Sequence, residues 1–386
     1  MRLHDSPEIR LPACGACMNN NTDPVVTAAF ERFADKECGD EPLYAALCRV
    51  AVAEPVVLSL MNVAPREQRR ANLLLAAVHY LLLSGVKHPL AAYYPSVGGS
   101  RGIDSALHGC FVDFCSSQRT ALVDLIAVRT TQTNEAGRCA VLWPVLQWIA
   151  KRRGFERIAL LDFGCSAGLN LGVDRYRYDY GRMHLAPGGR DASVLVSCKL
   201  VGPAAPRADL GLRPRIERRL GIDVDPIDVR DDKASRWLQA CVWPFDALRR
   251  ERLQGALRIA RDHGWPVQRH ADCSLAVEPW VRGIEPGVLP VLLNSWVLTY
   301  LTRDAREAHI ARMRQLVQQH GMAWISAESS EIVIDPQMAP PDERIAMAQG
   351  GTSTPWTLTM PGDGRTHSQV VAISHPHGKW MQWLVD

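Results

Sequence analysis

The run Leu160-Leu161-Asp162-Phe163-Gly164-Cys165-Ser166-Ala167-Gly168-Leu169-Asn170 is an apolar stretch, an acid and a small-residue turn in immediate succession. The apolar stretch begins at Ile158, just after the polar Lys151-Arg152-Arg153-Gly154, and reads as a buried parallel strand. The turn has the form acid-x-Gly-x-x-x-Gly. Gly164, Ser166, Ala167 and Gly168 let the backbone come close to a ligand with little or no side chain in the way. A helix expected to start behind them offers unpaired N–H groups to a carboxylate. Asp162, at the strand end, is placed to bond an amino group or to accept ligand hydroxyls.

Downstream, short apolar runs alternate with helical ones. Gly221-Ile222-Asp223-Val224 is a strand ending in acid, 266–269 leads into Ala271-Asp272, and 288–301 begins as a strand and continues as a helix. Residues 303–320 carry Ile310, Met313, Leu316 and Val317 on one helical face, and 322–326 is strand-like. Alternation of this kind implies a parallel α/β sheet. Three late runs, 356–360, 369–374 and 380–385, add an antiparallel edge. The long separation of Asp162 from Asp223 makes 175–215 an insertion, and 335–355 is a second.

Upstream, 25–150 is helical throughout. Val26, Ala29, Phe30 and Phe33 recur at helical spacing, as do Leu43, Leu47, Val50 and Ala51. Residues 72–83 are apolar nearly all round, the mark of a buried helix, with His79 as its core histidine. Residues 1–24 read as a flexible tail. The expected organisation is therefore a tail, an all-helical domain over 25–150, and an α/β domain over 151–386.

At 386 residues with 47% hydrophobic and 22% charged residues, the chain is not disordered, collagenous or coiled-coil. A net charge of +3 is no signature of a nucleic-acid binder. Arg249, Arg250, Arg252, Arg258 and Arg261 punctuate one helix and read as a solvated face. The 11 cysteines are scattered and odd in number, which points to reduced thiols in a cytoplasmic protein. The N-terminus lacks the apolar stretch of a secretory signal, and no apolar run reaches the ~18 residues of a membrane span. Cys14 and Cys17 have metal-ligand spacing but no second pair, so no metal site is expected.

Two further features bear on chemistry. Gly164-Cys165-Ser166-Ala167-Gly168 also matches Gly-x-Ser-x-Gly, the nucleophile elbow of a serine hydrolase, with Asp272 and His367 or His375 as partners for Ser166. That alternative leaves Asp162, Asp223 and the Asn294-Ser295 strand without a task. Residues 129–138, with Gln132, Asn134, Glu135 and Arg138, are densely polar between two apolar helices. A helix start accounts for one or two such side chains. The rest are read as a roof, supplied by the helical domain, over the open crevice at the strand ends. In it Glu135 is the base, Gln132 or Asn134 orients an acceptor, and Arg138 pairs with a carboxylate.

The 160–170 run resembles the first motif of class I S-adenosylmethionine-dependent methyltransferases, with Ser166 where glycine is usual. The segments at Asp223, Asp272 and Asn294-Ser295 resemble the later strands of that fold, in order. The resemblance implies a ribose role for Asp223, an adenine role for Asp272, and a place beside the methyl-transfer site for Asn294 and Ser295. It implies S-adenosylmethionine as cofactor and a Rossmann-like, class I methyltransferase-like sheet with an antiparallel C-terminal edge. Asn72–82, His88-Pro89-Leu90, 132–135, 164–171 and Asn294-Ser295-Trp296-Val297-Leu298 together resemble an uncharacterised bacterial family, domain of unknown function 2332. That family implies no reaction. The expected activity is methyl transfer to a small or medium-sized acceptor; a non-catalytic adenosyl-ligand-binding protein is the remaining alternative.

Overall fold

A computed structural model describes residues 23–39, 41–132, 134–206, 214–338, 344–349 and 352–386. The expected tail lies almost wholly outside the described residues, as do Cys14 and Cys17. Two compact units divide between Thr131 and Gln132, earlier than the composition shift at Lys151 implies.

The first unit is helical in its described part: α1 Pro24–Arg32, α2 Pro42–Ala53, α3 Pro55–Leu58, α4 Ala71–Leu83, α5 Ala106–Ser117 and α6 Arg119–Val128. Asp23 caps α1 by accepting from Val25 N at 3.0 Å, with Pro24 in the first turn where its missing N–H costs nothing. In α4 every residue from Leu73 to Leu82 is buried, including His79, whose Nε2 meets Ser96 Oγ at 2.7 Å.

The second unit begins its regular structure with α7, Cys139–Arg153, and this explains the shifted boundary. The helix is buried from Cys139 to Ala150, apolar on nearly every side, and shares one core with Ile158, Leu160, Val291 and Leu293 of the sheet. A helix with so little polar face has to be covered on all sides, and the sheet covers it.

The strands are β1 Arg157–Phe163, β2 Arg177–Asp179, β3 His184–Leu185, β4 Leu195–Ser197, β5 Lys199–Val201 and β6 Arg215–Asp223. They continue with β7 Val267–Arg269, β8 Leu289–Ser295, β9 Ala323–Ala327, β10 Thr354–Pro361, β11 Thr366–Ser374 and β12 Trp380–Trp383. The main sheet runs β5-β12-β11-β10-β9-β8-β1-β6-β7. From β9 to β7 neighbours are parallel. Crossovers carry α8 Asp232–Ala240 and α9 Ala247–His263 between β6 and β7, then α10 Cys273–Arg282, then α11 Arg303–His320. A short α12, Arg344–Ala348, precedes β10. The first parallel strand in the chain is central, the next two lie to one side and the following two to the other, as in doubly wound sheets. The direction of winding reverses between β1 and β8.

The expected antiparallel edge is present as the consecutive strands β10, β11 and β12. The outermost strand, however, is β5, which leaves the 175–215 insertion to pair in parallel with β12. The insertion's strands β2, β3 and β4 form a small sheet, in the order β3-β2-β4. Successive side chains of β1 point to opposite faces, Leu160 into the core shared with α7 and Leu161 into a second core with Val277, Trp280 and Val317.

Candidate functional site

Register places Phe163 opposite both Ile222 of β6 and Asn294 of β8, so the carboxyl ends of three adjacent strands lie level at the winding reversal. Open α/β sheets bind ligands there. The turn after β1 is left-handed at Gly164, Ser166 and Gly168, with φ of 71°, 51° and 67°. At Gly164 glycine is required twice over: by φ, and because a Cβ would lie 2.3 Å from Val297 Cγ2. Ser166 holds the same conformation with a side chain, at a cost of roughly 1–2 kcal/mol.

Hydrogen bonds fix the turn to β6. Gly164 N and Cys165 N both donate to Ile222 O, at 2.9 and 3.2 Å. Ser166 N donates to Asp223 Oδ2 at 2.7 Å, and Asp225 N to Asp223 Oδ1 at 2.8 Å. Each Asp223 oxygen thus takes one backbone N–H and keeps capacity for another donor. Behind the turn the chain forms a seven-residue 3₁₀ segment, Leu169–Arg175, in place of the expected α-helix. Gly172 in it sits against Tyr176 and Trp265, and Trp265 Nε1 donates to Gly168 O at 3.1 Å.

Gln132 and Asn134 lie on this turn. Asn134 Nδ2 donates to Cys165 O at 2.5 Å, Gln132 Nε2 to Asp225 O at 3.3 Å, and Ser166 Oγ to Gln132 Oε1. Asn134 Oδ1 is buried with no partner among the described residues. Both side chains belong to the sheet unit, not to the helical one that the sequence assigned them to. Beneath them Asp162 is 1% exposed and accepts from Asn170 Nδ2 at 3.3 Å. Burial raises its pKa to about 7, opposed by the Asn170 bond and helped by the nearby charge of Asp223.

Glu135 and Arg138 go elsewhere. Glu135, 3% exposed, accepts from Gly137 N at 2.8 Å and from Arg252 Nη2 at 2.9 Å, while Arg249 Nε approaches its other oxygen at 2.5 Å. Burial opposes its charge, but the two guanidinium groups prevail and hold the carboxyl well below the usual range. Such a carboxylate is a poor proton acceptor, so Glu135 does not fit the expected role of base. Arg138 donates from Nε to Pro376 O at 2.8 Å and from Nη1 to Ser295 O and Oγ at 3.2 and 3.1 Å. Its pairing partners are therefore internal, and burial lowers its pKa to about 10.

Ser295 is accordingly occupied by Arg138. Asn294 is fully buried and saturated: Nδ2 donates to Ser326 Oγ and Glu328 Oε1, and Oδ1 accepts from Trp324 Nε1 at 2.5 Å. It braces β8 against β9, with its side-chain bonds all internal. Asp272 is exposed and caps α10 by accepting from Ser274 N at 2.8 Å through Oδ1.

Glu328 went unnoticed in the sequence. Its Oε1 accepts from Val297 N at 3.0 Å and Leu298 N at 3.2 Å, bracing the bend at Trp296, whose φ is 55°. Burial raises its pKa, against those bonds. The only cue in the sequence is an acid directly after a buried strand. Among the described residues no group of three or more His, Cys, Asp or Glu is placed to hold a metal ion, and no single helix is long and apolar enough to cross a membrane.

A family model described as an uncharacterised protein conserved in bacteria, DUF2332, matches residues 27–383. The chain belongs to that family. No curated protein matches it.

Proposed function

We propose that this member of the DUF2332 family binds S-adenosylmethionine at the carboxyl ends of β1 and β6 and transfers its methyl group to a small or medium-sized acceptor. The observation that carries the reading is the left-handed turn 164–168 at the winding reversal, reached by Asp223 from the neighbouring strand. Gly164, Ser166 and Gly168 would let the donor lie against backbone, and Asp223 retains capacity for hydroxyl donors. The buried, unpartnered Asn134 Oδ1 is an acceptor that a ligand donor would satisfy. The Asp223 carboxylate, beside the turn, favours a ligand bearing positive charge.

The donor would supply an electrophilic methyl group on a sulfonium sulfur. The protein's part is to align and to exclude water. Gln132 and Asn134 hold the turn from above through Ser166 Oγ and Cys165 O. Asp162 is the carboxyl here whose pKa of about 7 suits holding or releasing a proton near neutral pH. The class I methyltransferase identity of the sheet belongs to this proposal.

The serine-hydrolase reading is less well supported. Ser166 Oγ donates to an amide oxygen, which is far too weak a base to take the proton and activate a nucleophile. Titration calorimetry with S-adenosylmethionine and S-adenosylhomocysteine tests the proposal. We expect saturable one-to-one binding of both, and turnover on a panel of metabolites. Binding without turnover would favour the adenosyl-ligand-binding alternative. Absence of binding, with covalent labelling of Ser166 by a fluorophosphonate, would overturn the proposal.

A further inference from the structure

The arginines of α9 do not form the single solvated face that their spacing implies. Arg249 and Arg252 turn inward to Glu135, and Arg250 donates to Pro244 O at 3.3 Å. Farther along, Arg258 and Arg261 line a cavity of about 300 Å³ between α8 and α9, with Arg236 and Asp232 on the α8 side. Arg261 is held by Val229 O at 2.7 Å and Asp232 Oδ1 at 3.2 Å. Arg236 and Arg258 make no hydrogen bond or ion pair among the described residues.

Three arginines and one aspartate line this groove, and the aspartate is paired with Arg261, so the lining carries two positive charges in excess. Like charges on facing helices repel, and an anion between them removes the repulsion. A phosphomonoester carries close to two negative charges at neutral pH, and its oxygens suit the planar fork of arginine. The volume, about 300 Å³, lies at the lower end of the range for small-molecule sites. Leu257 offers an apolar wall, and the amide pair Gln239–Gln254, joined at 2.9 Å, offers further polar atoms.

The geometry points to a second ligand site, in which the groove between α8 and α9 takes a small phosphomonoester with its phosphate between Arg236 and Arg258. None of its lining residues belongs to the turn after β1, so the inference stands apart from the methyl-transfer proposal. The test is titration calorimetry of the full chain with inorganic phosphate, and with acetate as the comparison anion. We expect saturable phosphate binding, at least tenfold weaker in Arg236→Ala and in Arg258→Ala, with the thermal melts of both variants unchanged. Arg303→Ala removes the same charge from an exposed helical pair and leaves binding as it was. Added potassium chloride weakens binding, because the site is open to solvent. No saturation below about 20 mM phosphate, equal affinity for acetate, or an equal loss in Arg303→Ala would each overturn the assignment.

Discussion

Gln132 and Asn134 rest on the turn after β1 with an oxygen still unpartnered, whereas Glu135 and Arg138, a few residues on, enter a buried network of ion pairs and hydrogen bonds. Seen as sequence the two halves are alike, dense in polar side chains between apolar helices. They differ in saturation. Glu135 faces two guanidinium groups and a backbone N–H, and Arg138 faces three oxygens. A carboxylate paired as fully as Glu135 has no capacity left for a ligand, and the Nε and Nη1 donors of Arg138 are held by oxygens of the chain itself. The proposed ligand site lies with the half that still has capacity.

The largest effect should come from the saturated half. Glu135→Gln leaves Arg249 and Arg252 partly buried without a counter-charge, which costs about 3–5 kcal/mol. Urea denaturation should show the midpoint falling accordingly. A midpoint equal to wild type, with turnover lost, would return Glu135 to the role of base.

Asp223→Ala comes next. It removes a charged acceptor worth ~1.5–3 kcal/mol and should weaken S-adenosylmethionine binding roughly ten- to a hundredfold by calorimetry. Asp272→Ala is the control: it should cost about 1 kcal/mol as a lost helix cap and leave affinity alone. If the two variants bind alike, the turn is not the site.

The halves also titrate in opposite senses. Asp162 has its pKa raised by burial to about 7, so the fold favours its protonated form, and stability drops as pH rises from the ordinary carboxylate range to about 7. His375, beside the Glu135 network, has its pKa lowered by burial to about 4. Its contribution is full above the ordinary histidine range and is lost as pH falls toward 4. Melting temperature followed from pH 5 to 8 should therefore fall less steeply in Asp162→Asn than in wild type. An identical profile would mean that Asp162 ionises normally.

Ser166→Gly should have the smallest effect. It relieves a left-handed serine and forfeits one hydroxyl bond, so stability should stay within about 1 kcal/mol. Ligand binding should survive. Loss of binding would give the serine hydroxyl a task that the backbone does not explain.

The turn was legible because its signal is local: an apolar strand, an acid and small residues within one stretch. The alternation of strands and helices made the parallel sheet legible in the same way. Asn294 was not, because its partners Trp324, Ser326 and Glu328 sit 30 or more residues away in sequence and nothing near Asn294 announces them. Glu135 was misread for the same reason, since Arg249 and Arg252 lie on α9. The unit boundary escaped because α7 is as apolar as the helices before it, and only its packing on β1 assigns it to the sheet.

Gly137 and Gly378 meet backbone to backbone: a Cβ on Gly378 would lie 2.1 Å from Gly137 O. Arg138 reaches Pro376 across 238 residues of chain. A ribosome adding ~5–20 residues per second needs roughly 10–50 s to make that interval. Throughout it Glu135 and Arg138 are already made while the 375–378 loop that closes over them is not. The polar stretch is thus among the first parts of the sheet unit to be synthesised and among the last to be sealed.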